Sequence, residues 1–142
     1  MEAQLQAYYE FAGLFKLYMH KQNTMLAKFQ LSNPSWSIMH VLMHHGPQTV
    51  SHLSVLKNVE KPSISRVVQL LVELGYVECL SGEDKRVKMV ALTEKGTQVG
   101  KVLHEELGKF QLKLLTGVSE EDQAVVIRVL QSIKKELLKD KE

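Results

Sequence analysis

The chain is expected to fold as a mainly α protein with one small β-hairpin. Three observations carry that expectation. Apolar residues recur at three- and four-residue steps along several long segments. Two stretches of two-residue alternation, Tyr76–Leu80 and Arg86–Leu92, flank the turn-rich Ser81–Lys85. Helix punctuation (Asn33-Pro34, Gly46-Pro47, Pro62, Gly75, Thr93) falls between the periodic segments.

Each element follows from its residues. From Leu5 to Phe29 the apolar positions Leu5, Ala12, Phe15, Met19, Leu26 and Phe29 keep a helical step, and Tyr8, Phe11, Leu14 and Tyr18 give this first helix more than one buried side. Asn33-Pro34 ends it and starts the second helix, since Asn caps well and Pro tolerates the first helical position. That helix runs from about Pro34 to His45 and stops at Gly46-Pro47. Thr49 caps a short third helix with Val50, Leu53 and Leu56 on one face, and Asn58–Lys61 is a brief break. Pro62 opens the fourth, in which Ile64, Val67, Val68, Leu71, Val72 and Leu74 face inward while Ser63, Ser65, Arg66 and Gln69 fall largely on the other side. Gly75 closes it, the hairpin follows, and Thr93 caps a fifth helix that reaches toward Leu115 with Val99, Leu103, Leu107, Phe110 and Leu114 in register. Ser119-Glu120-Glu121-Asp122 approximates a capping box for the sixth, whose stripe is Val126, Leu130, Ile133 and Leu137.

Composition narrows the class. With 142 residues and 44% hydrophobic side chains there is room for one domain with an ordinary core. The formal net charge of +2 gives only weak support for a polyanionic partner, so the placement of charge matters more than its sum. A lone cysteine, Cys79, excludes an intramolecular disulfide, and the chain carries no secretory pattern, so a cytoplasmic setting is expected. The longest apolar runs fall far short of the roughly 18 residues of a membrane span. No nucleophile–base pair in motif context and no phosphate-binding glycine loop occurs, which argues against an enzyme.

Residues 34–92 therefore read as a winged helix-turn-helix. The flanking parts, 1–31 and 97–142, are long amphipathic helices with more apolar surface than one small core covers, the pattern of helices that bury their excess in a two-fold homodimer. Gly46-Pro47-Gln48-Thr49, then Lys61-Pro62-Ser63-Ile64-Ser65-Arg66, then Leu71…Gly75-Tyr76-Val77-Glu78, and finally Asp84-Lys85-Arg86…Leu92-Thr93-Glu94-Lys95-Gly96 resemble the MarR family of bacterial transcriptional regulators. The likeness covers nearly the whole chain, and its most specific part is Asp-x-Arg followed by Leu-Thr-x-Lys-Gly. It implies a homodimer on a pseudo-palindromic operator in double-stranded DNA, usually a repressor released by a small molecule or an oxidant.

A recognition helix needs short polar residues and an arginine on exposed early turns, which reach base edges and phosphates from the major groove. Ser63, Ser65, Arg66 and Gln69 meet that need, although the same pattern fits an ordinary solvated face. Arg86 resembles the family's wing arginine, which enters the minor groove, and Asp84 stands two residues away to orient it. Lys85 and Lys88 are phosphate-contact candidates, with a solvated strand edge as the alternative for Lys88. Ser51 and His52, at the start of the third helix, are candidates for backbone contact, and Ser51 equally for capping. Between residues 57 and 88 six Lys or Arg face five acids, so affinity depends on which side chains point outward and on doubling by a dimer. The alternative reading is a winged-helix protein-interaction module without DNA binding.

The family's effector pocket lies where the winged part meets the dimerisation helices. Phe11, Phe15, Met19, Trp36, His40 and Met43 are the candidates for it, with plain core as the competing reading and a small aromatic or amphipathic molecule as the occupant. No metal or cofactor is expected: His40 and His44 stand four apart on one helix and His104 with Glu105 on another, but no second histidine pair occurs on the fifth helix, where position 108 is glycine. Cys79 alternates with Val77 and is expected to face inward as a structural residue.

Overall fold

The computed structural model describes residues 2–81 and 87–139. Among these, six helices and three strands follow one another as α1 (Glu2–Ala27), α2 (Asn33–His45), β1 (Gln48–Thr49), α3 (Val50–Lys57), α4 (Lys61–Glu73), β2 (Val77–Ser81), β3 (Lys88–Leu92), α5 (Glu94–Leu114) and α6 (Glu120–Lys139). The class is the expected one, mainly α with a small β wing. The chain divides into two units, Met1–Leu107 and Gly108–Glu142, with the boundary inside α5. No helix among the described residues is long and apolar enough to cross a membrane.

In the first unit the core lies where the helices meet the sheet: Leu26, Ile38, Met39, Leu53, Leu71, Val90 and Leu103 are almost wholly inaccessible. On α4 the buried stripe is Ile64, Val68 and Leu71, with Val67 and Leu74 half-buried. Val72, expected inside, is 38% exposed because it stands one residue off that helical step. Likewise Leu53 is the buried residue of α3, whereas Leu56 is exposed. Of α1 only Leu26 is buried, so the expected second buried side is not realised within one chain.

Local hydrogen bonding explains the ends of the elements. The left-handed Gln30 (φ 63°) stops α1 two residues before Phe29, and the Leu31 N–H closes the turn on the Leu26 carbonyl at 3.1 Å. Ser32, not Asn33, precedes α2 as its cap, its N–H donating to Ser35 Oγ at 2.8 Å. Asn33 instead ties α2 to α1: its Nδ2 donates to the Met19 carbonyl at 3.3 Å and its Oδ1 accepts from Gln22 Nε2 at 2.7 Å. At the end of α4, Gly75 (φ 79°) forms a Schellman turn, with Gly75 N–H on Val72 O and Tyr76 N–H on Leu71 O, both 3.0 Å. Tyr76 then sends its hydroxyl to the Phe29 carbonyl at 2.8 Å, fixing the start of the wing to the end of α1.

The strands form an antiparallel sheet in the order β1-β3-β2. The sequence pattern misses β1, which is too short for any alternation to register, yet its pairs Gln48↔Val90 and Thr49↔Met89 fasten the wing to the residue that caps α3. In β2 only Val77 is buried, and Cys79, expected inside, is exposed. This strand is an edge of the sheet that runs out from the core, so alternation beyond its first residue has no interior to face.

In the second unit the Asp122 N–H is capped by Ser119 Oγ at 3.1 Å, and α6 buries none of its residues. Its expected stripe of Val126, Leu130, Ile133 and Leu137 stands 40–62% exposed.

Candidate nucleic-acid interface

The two helices of the helix-turn-helix are joined by a three-residue turn, and each end has a physical cause. Thr49 Oγ1 accepts the His52 N–H at 3.0 Å and starts α3. Asn58 takes the left-handed conformation (φ 54°) and ends it, while the Val59 N–H returns to the Ser54 carbonyl. Gln48 is buried, donates to the His45 and Gly46 carbonyls and bonds His52 Nδ1, so the start of α3 is held by side chains as well as by the sheet.

On α4, Ser65, Arg66 and Gln69 are all exposed and project within an arc of about 100°, taking about 3.6 residues per turn. Among the described residues of the first unit, nothing covers this face. Ser63 lies at its margin: it is half-buried and lines a cavity instead of standing with the other three. Ser51 and Lys88 are exposed, Lys88 opposite Ser81 at the outer end of the described hairpin. Asp84, Lys85 and Arg86 lie outside the described residues.

The Leu92-Thr93-Glu94-Lys95-Gly96 junction has a structural account residue by residue. Thr93 Oγ1 caps α5 by accepting the Gly96 N–H at 3.0 Å, and the Thr93 N–H donates to the Tyr76 carbonyl at 3.0 Å. Lys95 Nζ caps α4 from outside, donating to the Leu74 carbonyl at 2.9 Å and standing 5.2 Å from the centre of the Tyr76 ring. Gly96 is required by packing: a Cβ there would sit 1.9 Å from the Tyr76 carbonyl oxygen.

The effector candidates do not line one space. Phe11 and Phe15 are exposed in the single chain, Trp36 is buried with its ring 6.0 Å edge-on to His40, and Met43 borders a cavity of about 310 Å³ with Leu42, Pro47 and Leu92. Met19 borders a different, mostly apolar cleft of about 480 Å³ with Ile38, Val59, Ile64 and Val67. Ile64 and Val67 of that lining read as core-stripe positions, which is why periodicity does not single them out.

The structure also gathers three of the histidines. His44 Nε2 and His40 Nε2 are 3.0 Å apart, and His104 comes from α5 so that one ring nitrogen of each lies within 4.8 Å of the others. Burial, and then the neighbouring His44 and His104 with Lys57 and His45 farther down, hold the His40 imidazole below its ordinary value.

The profile of the MarR family matches residues 29–87. An uncharacterised helix-turn-helix-type transcriptional regulator of Bacillus subtilis, YwoH, is 33% identical over 108 residues, 76% of this chain and 79% of its own. The helix-turn-helix-type transcriptional repressor IacR of Pseudomonas putida is 25% identical over 127 residues, 89% of this chain and 76% of its own. Among solved structures, Staphylococcus aureus MarR in complex with salicylate and kanamycin superposes with a TM-score of 0.88 at 24% identity, over 97% of this chain and 94% of that one. Regulators of this kind bind DNA and are not enzymes. Helix-turn-helix, wing, capped junction and sequence likeness agree: the chain belongs to the MarR family of transcriptional regulators.

Proposed function

We propose that this chain is a ligand-responsive repressor acting as a homodimer on a pseudo-palindromic operator. Residues 34–92 read the DNA, and residues 1–31 and 97–142 hold the two copies together. The observation that carries the reading is the uncovered Ser65–Arg66–Gln69 face of α4. These side chains have the length and polarity for base edges in the major groove, with Arg66 suited to a bidentate contact on guanine. Ser63 serves at the margin, Ser51 and Lys88 meet phosphates, and on the family resemblance Lys85 joins them while Arg86, oriented by Asp84, enters the minor groove. The 480 Å³ apolar cavity, which Met19 borders, is the place for a small aromatic or amphipathic effector. The structural neighbour in complex with salicylate and kanamycin supports a small-molecule effector.

The test is fluorescence anisotropy on operator DNA selected from a random pool, over a salt series. Arg66→Ala is expected to weaken specific binding about 10- to 100-fold and to relax preference at one position of each half-site. Lys88→Ala, which removes one phosphate contact from each copy, is expected to weaken all sequences alike and to reduce the slope of log affinity against log salt by about 2. Absence of salt-sensitive, sequence-specific binding in the native chain would sink the proposal and leave the protein-interaction module.

A further inference from the structure

We infer that His40, His44 and His104 form a binding site for a zinc-class divalent metal ion, joining α2 to α5 within the first unit. His40 and His44 are one turn apart on α2, and their Nε2 atoms approach to 3.0 Å. The His104 ring, from α5, has its centre 6.2 Å from that of His40 and 5.7 Å from that of His44. One nitrogen of each ring falls within 4.8 Å of the others. Zinc–imidazole bonds of about 2.0–2.1 Å in a tetrahedral arrangement require nitrogens about 3.3 Å apart, so the set closes with an approach of about 1.5 Å at most.

The chemistry of the donors points the same way. Each imidazole can turn a ring-nitrogen lone pair toward a metal, and three such rings meet here. The contact between His40 and His44 pairs one donor with one acceptor nitrogen, and a metal would replace it by taking a lone pair from each ring. An all-nitrogen set suits zinc, copper and nickel and disfavours magnesium or calcium, which take oxygen ligands. Three protein ligands leave one position open for water or an anion. Trp36, edge-on to His40, walls one side.

Such an ion holds α2 against α5 and so stabilises the folded chain, because the unfolded chain offers no assembled site. This proposal does not depend on the DNA-reading residues and is read out without DNA.

The experiment is competition titration of the untagged, chelator-stripped full chain against a chromophoric zinc indicator, with cobalt substitution as a spectroscopic companion. One zinc per chain, a rise in Tm of roughly 5 °C at saturating zinc, and visible cobalt absorption are expected. His104→Gln and His44→Gln, both at exposed positions, are expected to loosen zinc at least tenfold and to abolish the cobalt bands, while their circular dichroism stays native. His20→Gln, on α1 and outside the cluster, is expected to bind as the native chain does. No saturable zinc binding, or binding that persists unchanged in His104→Gln, would overturn the inference and leave the three rings as a hydrogen-bonded surface cluster.

Discussion

Gly96→Ala is expected to cost about 3 kcal/mol or more of folding free energy, at the top of the range for an overpacked site. An added Cβ falls 1.9 Å from the Tyr76 carbonyl oxygen and 2.8 Å from its carbon, and both are backbone atoms that no rotamer change can withdraw. Relief requires α5 to move off the start of β2. That movement breaks the Thr93 N–H bond to the same carbonyl and strains the Tyr76 hydroxyl bond to Phe29. For a chain of this size the drop in Tm is roughly 10 °C, measured by calorimetry or by urea unfolding. Lys95→Ala is the contrast within the same motif. Its ammonium caps the Leu74 carbonyl from an exposed position, so its loss is expected to cost only about 0.5–1 kcal/mol. If the two substitutions cost the same, the glycine is not where the constraint lies.

That contrast shows what the sequence could and could not convey. Thr93 as cap, Gly75 as helix terminator and Thr49 as the start of α3 are legible because capping is local chemistry: the partner lies within four residues. Gly96 could be recognised only as part of a likeness, since the atom that forbids a side chain there belongs to Tyr76, twenty residues earlier in the chain. The stop of α1 at Ala27 was illegible for another reason, because Gln30 occupies a left-handed position usually marked by glycine or asparagine. Cys79 reads as buried from the sequence because period-two alternation says which residues share a face and not whether that face meets a core.

The candidate site divides in the same way. Ser65, Arg66 and Gln69 share one helix face, which follows from their spacing alone. Ser63 reads with them from spacing, since at the edge of a face a small helical rotation separates solvent from the cavity wall. The histidine cluster needed the third dimension: His40 and His44 announce themselves by spacing, whereas His104 joins them only through the packing of α5. A search for paired histidines on each helix overlooks a site built from a pair and a single.

Charging the stripe of α6 is expected to dissolve the dimer and, with it, operator binding. Leu130 and Ile133 stand 40% and 43% exposed in the single chain, between Val126 and Leu137 at 50% and 62%. In the first unit Leu5, Tyr8, Leu14, Phe15 and Leu17 of α1 are each more than half exposed. Isolated exposed apolar residues are ordinary, but continuous stripes along two long helices are surfaces that water would not leave uncovered. In the proposed homodimer a second copy would cover them without a new partner, and an isologous contact would place two recognition helices about a two-fold axis. Burying a leucine or isoleucine contributes about 1.5–3 kcal/mol, and a carboxylate in its place must be desolvated without a partner. Leu130→Glu with Ile133→Glu is therefore expected to shift the mass in solution from twice 16.2 kDa to 16.2 kDa at micromolar concentration. Because α6 is remote in sequence from Arg66, a half-site should still bind weakly. Affinity for the full operator is expected to fall at least about 100-fold through lost bivalency. Analytical ultracentrifugation and anisotropy on half and full sites separate the two effects. A native chain that sediments as a monomer, or a double variant that stays dimeric, would remove α6 from the interface and the two-fold operator with it.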